Sequence, residues 1–256
     1  MPAPVLQKYI KYYWVMESSG NEAHTHVMVY PEGYPELFFH YGDSFDYVTG
    51  NGSICRQPQN FLCCQKTVTT TVSTNGLTGV VAVAFRSFGA SAFFRFGLHE
   101  FKNEKIDLCD ILGDKHKATA DLICNARSVA ERIGIIEGLL HKLLNVRERE
   151  MNIIRAGLSE LNATPCRVSV EKAAESAFLS YRQFERIFTR SVGVSPREYI
   201  KIRKINYAIG LMKSRAKLNL TNIALDAGFY DQAHFINSFK SIISITPLEF
   251  NKMLKA

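Results

Sequence analysis

The chain has 256 residues with 46% hydrophobic content, enough to build real cores in one large or two ordinary domains, which excludes an intrinsically disordered chain. Its net charge of +7 is unevenly placed: residues 1–148 carry 14 basic against 15 acidic side chains, and residues 149–256 carry 17 against 9. A concentrated positive charge suits a polyanion partner, because neutralising phosphates releases condensed counterions, although a merely soluble basic surface carries the same charge.

The start, MPAPVLQKYIKYYW, has no apolar h-region, and no apolar stretch approaches the ~18 residues needed to span a bilayer. The six cysteines, Cys55, Cys63, Cys64, Cys109, Cys124 and Cys166, show no C-x-x-C spacing. These features predict a cytoplasmic protein with reduced thiols and no membrane partner.

From Thr25 to about Arg86 the segments HVMVY, PELFFHYG, TVTTTVST and TGVVAVAF are rich in β-branched and aromatic residues. They are punctuated by Pro31-Glu32-Gly33, Gly50-Asn51-Gly52 and Asn75-Gly76, the pattern of a small sandwich or barrel. His24, His26, Glu32 and His40 could be assembled into a metal site, but scattered histidines on strands are more often solvated or core-satisfied, so no metal is expected. Cys63 and Cys64 fall on opposite faces of a strand and read as small buried hydrophobes. From about Ile106 the apolar spacing turns helical, and Val129, Ile133, Ile136, Leu139, Leu140 and Leu143 form one stripe. That stripe fits core packing or a helix pair between two subunits. The charge run VREREMN predicts a link between the halves.

Beyond it everything reads as helix, and two segments superimpose at a shift of 51 residues. Ser180 falls on Asp231, Phe184 on Phe235, Phe188 on Phe239, Ser195-Pro196 on Thr246-Pro247, Glu198 on Glu249 and Tyr199 on Phe250. Ser180 and Asp231 are N-cap residues, the paired phenylalanines lie four apart on one helical face, and each proline stands at its permitted first helical position. Preceded by VEKAAESAF and TNIALDAGF, each unit predicts a helix-turn-helix, and SPREYIKIRKINYAIGLMKS predicts one long helix joining them.

Residues from about 150 to 256 resemble the paired helix-turn-helix DNA-binding domain of the AraC/XylS family of bacterial transcription regulators. The resemblance is carried by LSYRQFERIFTRSVGVSPREYIKIRKI in the first unit and IALDAGFYDQAHFINSFKSIISITPLEF in the second. It implies a two-domain α+β protein. Residues 1–148 would be a cupin-like β-barrel or sandwich with trailing helices, serving as a sensor or dimerisation domain. Residues 149–256 would be an all-α domain of two helix-turn-helix units joined by a long helix. The implied partners are double-stranded DNA, a small-molecule effector, a second copy of the chain, and RNA polymerase for an activator.

With Phe184 facing the core, the 100° advance per residue places Arg182 and Arg186 outward with Thr189 beside them. Gln183 and Glu185 flank that face and Arg190 is placed for a phosphate. Arginine can donate two hydrogen bonds to guanine O6 and N7, so Arg182 and Arg186 are the candidates for direct readout; phosphate contact alone is the alternative. With Phe235 inward, Ala233, Asn237 and Lys240 face out, flanked by His234 and Tyr230. The family usually reads bases from both recognition helices. Gln232, His234 and Asn237 can hydrogen-bond to bases, whereas Ala233 can only touch a thymine methyl, so the second unit is expected to contribute more to register than to readout.

Where the second unit has Gly228, the first offers Phe178 or Ala177, neither comfortable at positive φ, which predicts a differently built first turn. The segment TPCRV around Cys166 bears a faint similarity to a repair-transferase motif but lacks its histidine. No Gly-rich phosphate loop, G-x-S-x-G elbow or H-E-x-x-H is present. No enzyme activity and no cofactor are expected. A barrel enzyme with a DNA-binding tail and a regulator whose N-terminal half only binds protein are the alternatives.

Overall fold

In the computed structural model, which describes residues 1–18, 25–49, 52–74, 76–163, 169–214 and 219–255, the N-terminal part is a β-sandwich and the C-terminal part is helical. Among the described residues, nine strands form two wholly antiparallel sheets. The first contains β1 (Ile10–Glu17), β8 (Gly79–Phe85), β3 (Glu36–His40), β6 (Asn60–Cys63) and β9 (Lys105–Asp107) in that order. The second contains β2 (Thr25–Val29), β7 (Thr70–Thr74), β4 (Asp46–Val48) and β5 (Ile54–Arg56).

Strand β8 explains the layering. All seven of its residues are buried, and they alternate between two environments. Val81, Val83 and Phe85 belong to the large core under the helices, whereas Val80 and Ala82 face the space between the sheets with Phe38, Phe45, Phe61 and Val72. A strand buried on both faces needs a continuous apolar run, and GVVAVAF supplies it. Cys63 and Cys64 divide in the same way, one facing each core. Burial pushes the Cys64 thiol up to about 12, so it packs as a small hydrophobe.

Two strands extend the sheet beyond the predicted Thr25–Arg86 stretch. Strand β1 lacks a clean alternation, and its conformation comes from pairing with β8 some seventy residues later. Strand β9 pairs with β6 immediately before the first helix.

Ten α-helices follow among the described residues: α1 (Leu108–Leu112), α2 (Lys117–Asn125), α3 (Val129–Leu143), α4 (Glu148–Ala163), α5 (Val170–Ser176), α6 (Tyr181–Val192), α7 (Pro196–Ser214), α8 (Leu220–Asp226), α9 (Gln232–Ile243) and α10 (Pro247–Met253). The stripe on α3 is spent within the chain: Ile136, Leu139 and Leu140 are buried in the large core, with Ile133 and Leu143 packed against it. The VREREMN run opens α4 from its third residue, with Glu148 and Glu150 in the first turn, where carboxylates suit the helix dipole.

The apolar contacts run on without a break from the sandwich through α3 and α4 into α5, α6 and Tyr199 of α7. The second helix-turn-helix unit has a separate core of Ile205, Ile209, Ile223, Phe235, Phe239 and Phe250, against which Met28 and Tyr30 pack.

Candidate nucleic-acid interface

Each recognition helix is set by local chemistry that recurs at the 51-residue shift. Ser180 caps α6 by accepting from the Gln183 N–H, and Gln183 Oε1 accepts from the Ser180 N–H in return, a closed capping box. Asp231 caps α9 by accepting from the His234 N–H at 2.7 Å. Phe184, Phe188, Phe235 and Phe239 are all fully buried, so the opposite faces of both helices are fixed outward. Both helices end on a left-handed residue, Gly193 at φ 95° and Ser244 at φ 71°. Ser195 with Glu198 and Thr246 with Glu249 then form capping boxes on α7 and α10.

The two boxes differ electrostatically. Burial pushes the Glu198 carboxyl up, but the Ser195 N–H, the Lys102 ammonium 3.1 Å away and the Ser195 hydroxyl more than offset this and hold it below its usual value. Glu249 lies fully in solvent and is lowered chiefly by the Thr246 N–H. The first box is tied to the N-terminal domain through Lys102.

The two turns share a left-handed residue but differ, as expected, in the residue that adopts it and in length. Phe178 adopts φ 55° where Gly228 adopts φ 77°. In both turns the next residue's N–H reaches back five positions: Leu179 donates to the Ala174 carbonyl and Phe229 to that of Ala224. The first turn is one residue shorter, with Ser180 capping directly after Leu179 whereas Tyr230 intervenes before Asp231. Phe178 thus holds a conformation that costs a side-chain-bearing residue about 1–2 kcal/mol, and it is 95% exposed among the described residues.

On α6 the structure brings Arg182, Gln183, Glu185, Arg186, Thr189 and Arg190 to one concave face of about 700 Å³. His99, from the N-terminal domain, lines the same groove. Some eighty residues away in sequence, it carries no local signal; its neighbour Leu98, with Gln65, lies so near Gly193 that an added Cβ would stand 3.1–3.3 Å from theirs. On α9, Gln232, Ala233, His234, Asn237 and Lys240 are exposed, as is Tyr230 before it. They fall outside that groove. Gln232 is engaged by the Thr221 hydroxyl at 2.8 Å, and the His234 ring stands edge-on to Phe229.

The sandwich encloses a cavity of about 370 Å³, within the range of small-molecule sites. Its walls include Trp14, Phe38, Phe61 and Val72, and its polar groups include Glu32, Glu36, Gln57, Lys66 and Lys105. Glu36 accepts from the Trp14 indole N–H at 2.9 Å and pairs with Lys66 at 3.6 Å. Burial raises Glu32 and lowers Lys105. Residues 27–30 line the cavity on one side while Met28 and Tyr30 pack on the second unit's core. Three contacts reinforce that junction: Asn206 donates to the Pro31 carbonyl, Lys213 to the Tyr30 hydroxyl, and the Thr69 N–H to the Ile242 carbonyl.

His40 is a core residue against Phe45 and Phe61, lowered to about 4 by burial, with Nε2 3.2 Å from Gln57 Oε1. His24 and Cys166 lie outside the described residues. Among the described residues no group of three or more His, Cys, Asp or Glu side chains could hold a metal ion, and no helix is long and apolar enough to cross a membrane.

Comparison with known proteins divides the chain. Residues 173–253 match a family described as a helix-turn-helix domain, and residues 1–107 match a domain family of unknown function. An uncharacterised helix-turn-helix transcriptional regulator of Haemophilus influenzae is 31% identical over 83 residues, 32% of this chain and 28% of its own length. The virulence regulon transcriptional activator VirF of Yersinia enterocolitica is 32% identical over 78 residues, 30% of this chain and 28% of its own length. The chain therefore matches under a third of either relative. The structure of ToxT from Vibrio cholerae is similar over 96% of this chain and 99% of its own, with a TM-score of 0.51 and 15% identity, a likeness of fold.

Proposed function

We propose, from the premise that the C-terminal domain is of the AraC/XylS helix-turn-helix type, that the chain is a sequence-specific DNA-binding transcription regulator whose N-terminal domain senses a small effector. The observation that carries the reading is the outward face of α6. Arg182, Arg186 and Arg190 are exposed on one side of a helix pinned by two buried phenylalanines, and none has an acidic partner among the described residues. Arg182 and Arg186 read bases, Arg190 binds phosphate, and Gln183 and Glu185 flank them. From α9, Gln232, Ala233, His234, Asn237 and Lys240 set register on the duplex.

The division after residue 148 separates sensor from reader in function. The sandwich cavity supports an effector over a purely dimerising role, and the β2 segment shared by cavity wall and second unit is the route by which occupancy reaches the DNA-binding domain. The reading is of a non-enzymatic cytoplasmic protein, with RNA polymerase a further partner where it activates. A gel-shift and footprint on DNA upstream of its own gene tests it. Protection of adjacent major grooves is expected, with log affinity falling linearly against log salt by about 0.9 per phosphate neutralised. Absent or salt-insensitive binding would overturn it.

A further inference from the structure

A second cleft, of about 330 Å³, lies where β1 and the end of β8 meet α4 and α7. Lys11 and Arg86 reach it from the sandwich side, Arg155 from α4 and Arg203 from α7. Against these four cations stands one carboxylate, Glu32, which takes the hydroxyl of Tyr34. None of the four has an ion-pair partner within 4 Å among the described residues. Glu32 and Tyr34 line both this cleft and the sandwich cavity and form the wall between them.

Arg155 is the decisive group. Its guanidinium lies 5.8 Å from the Tyr9 ring centroid and 5.7 Å from that of Phe88, which orients the cation without neutralising it. One terminal nitrogen, Nη2, is buried with no hydrogen-bond partner. A buried donor left unmade is costly, and a native site carries one where a ligand completes it. Arg86, exposed at the cleft's rim, donates from Nε to the Gln7 carbonyl at 3.0 Å. Three forked guanidinium groups and an ammonium lining one small polar concavity match the oxygens of a phosphate or a carboxylate.

We propose that this cleft is a binding site for a small multivalent oxyanion, a phosphate-bearing or dicarboxylate metabolite, distinct from the sandwich cavity. The bound anion bridges Arg86 and Lys11 of the sandwich to Arg155 and Arg203 of the helical domain, so it fixes how α4 and α7 sit against the sensor. A furrow of this volume takes a compact anion; a nucleic-acid backbone is a test outcome.

The test is thermal denaturation of the full chain without DNA, at constant ionic strength, with sodium chloride replaced stepwise by sodium phosphate or by sodium succinate. A saturable rise in Tm is expected, because a ligand that binds only the folded state stabilises it. Phosphate acting alone assigns a phosphate ligand, and succinate acting alone assigns a dicarboxylate. Arg155→Met, which keeps the packing on Tyr9 and Phe88, and Arg203→Gln on the cleft's other wall should each weaken the apparent affinity tenfold or more. Arg186→Ala, on the DNA-reading face, should leave it unchanged. No saturable rise, or an equal rise in both cleft variants, would overturn the site. So would a rise lost in Arg186→Ala and retained in Arg155→Met, which would put the anion where DNA belongs. Since no DNA is present, failure here leaves the regulator reading standing, and failure of the footprint leaves this site standing.

Discussion

The two helix-turn-helix units share a frame and differ in nearly everything placed on it. Their caps, phenylalanine pairs, left-handed helix ends and Ser/Thr-Pro starts coincide at a fixed shift, whereas the outward faces diverge, three arginines on α6 against a single lysine on α9. Their anchorage differs too. The first unit is continuous with the sandwich core, while the second keeps its own core and touches the sandwich through the β2 segment and Thr69. Duplication thus preserves what makes a helix stop, start and bury one face, and leaves its chemistry and attachment free to separate.

Truncating the equivalent core phenylalanines probes anchorage and carries the largest effect. Phe184→Ala and Phe235→Ala should each cost about 3–5 kcal/mol, the usual range for a buried phenylalanine. Hydrogen exchange should separate them: Phe184→Ala lowers protection in the sandwich strands as well as in α6, while Phe235→Ala loosens α8–α10 and leaves β8 protected. Equal loss everywhere in both variants would make the two cores one.

Readout comes next. Arg186→Ala should lose roughly 1–3 kcal/mol of discrimination at one base position, measured as affinity for the cognate site relative to its single-base variants. Asn237→Ala should change affinity with little change in preference. Uniform weakening by Arg186→Ala would reduce that arginine to a phosphate contact.

The turns predict opposite responses to inverse substitutions. Phe178→Gly should raise stability by about 1 kcal/mol by relieving a left-handed phenylalanine, and Gly228→Phe should lower it by about 1–2 kcal/mol, both read from chemical denaturation. A destabilising Phe178→Gly would mean that the exposed ring has a partner.

The smallest effect concerns the capping boxes. Both carboxyls sit below their ordinary value when folded, so each stabilises above the unfolded value of 4.5 and loses that contribution as pH falls through the lowered one. Glu198→Gln keeps the cap acceptor but not the charge facing Lys102. Its Tm deficit should therefore be present at neutral pH and close as pH falls below 4.5. For Glu249→Gln the neutral-pH deficit should be smaller, because Glu249 lies in solvent.

The helical half was legible because its determinants are local. Caps three residues apart, phenylalanines four apart and a glycine at a turn act within one or two turns of chain, and so the outward placement of Arg182, Arg186 and Asn237 follows from pattern alone. At the first turn Phe178 reads as a poor left-handed residue, and it adopts that conformation alongside the five-residue reach of Leu179 to Ala174. Strand β1 carries no local signal because its partner lies far along the chain, and VREREMN reads as a link because charge at a helix start resembles charge in a loop. His99, the cavity walls and the Arg155 cleft depend on long-range packing. No window of sequence contains them.

Trp14 is the chain's only tryptophan, and it lines the sandwich cavity with its indole N–H committed to Glu36. Every photon of tryptophan fluorescence from the intact protein therefore originates at the wall of the candidate effector site. A molecule entering there replaces water or displaces Glu36 beside the ring, so emission wavelength and intensity report occupancy directly, free of label and of background from the DNA-binding half.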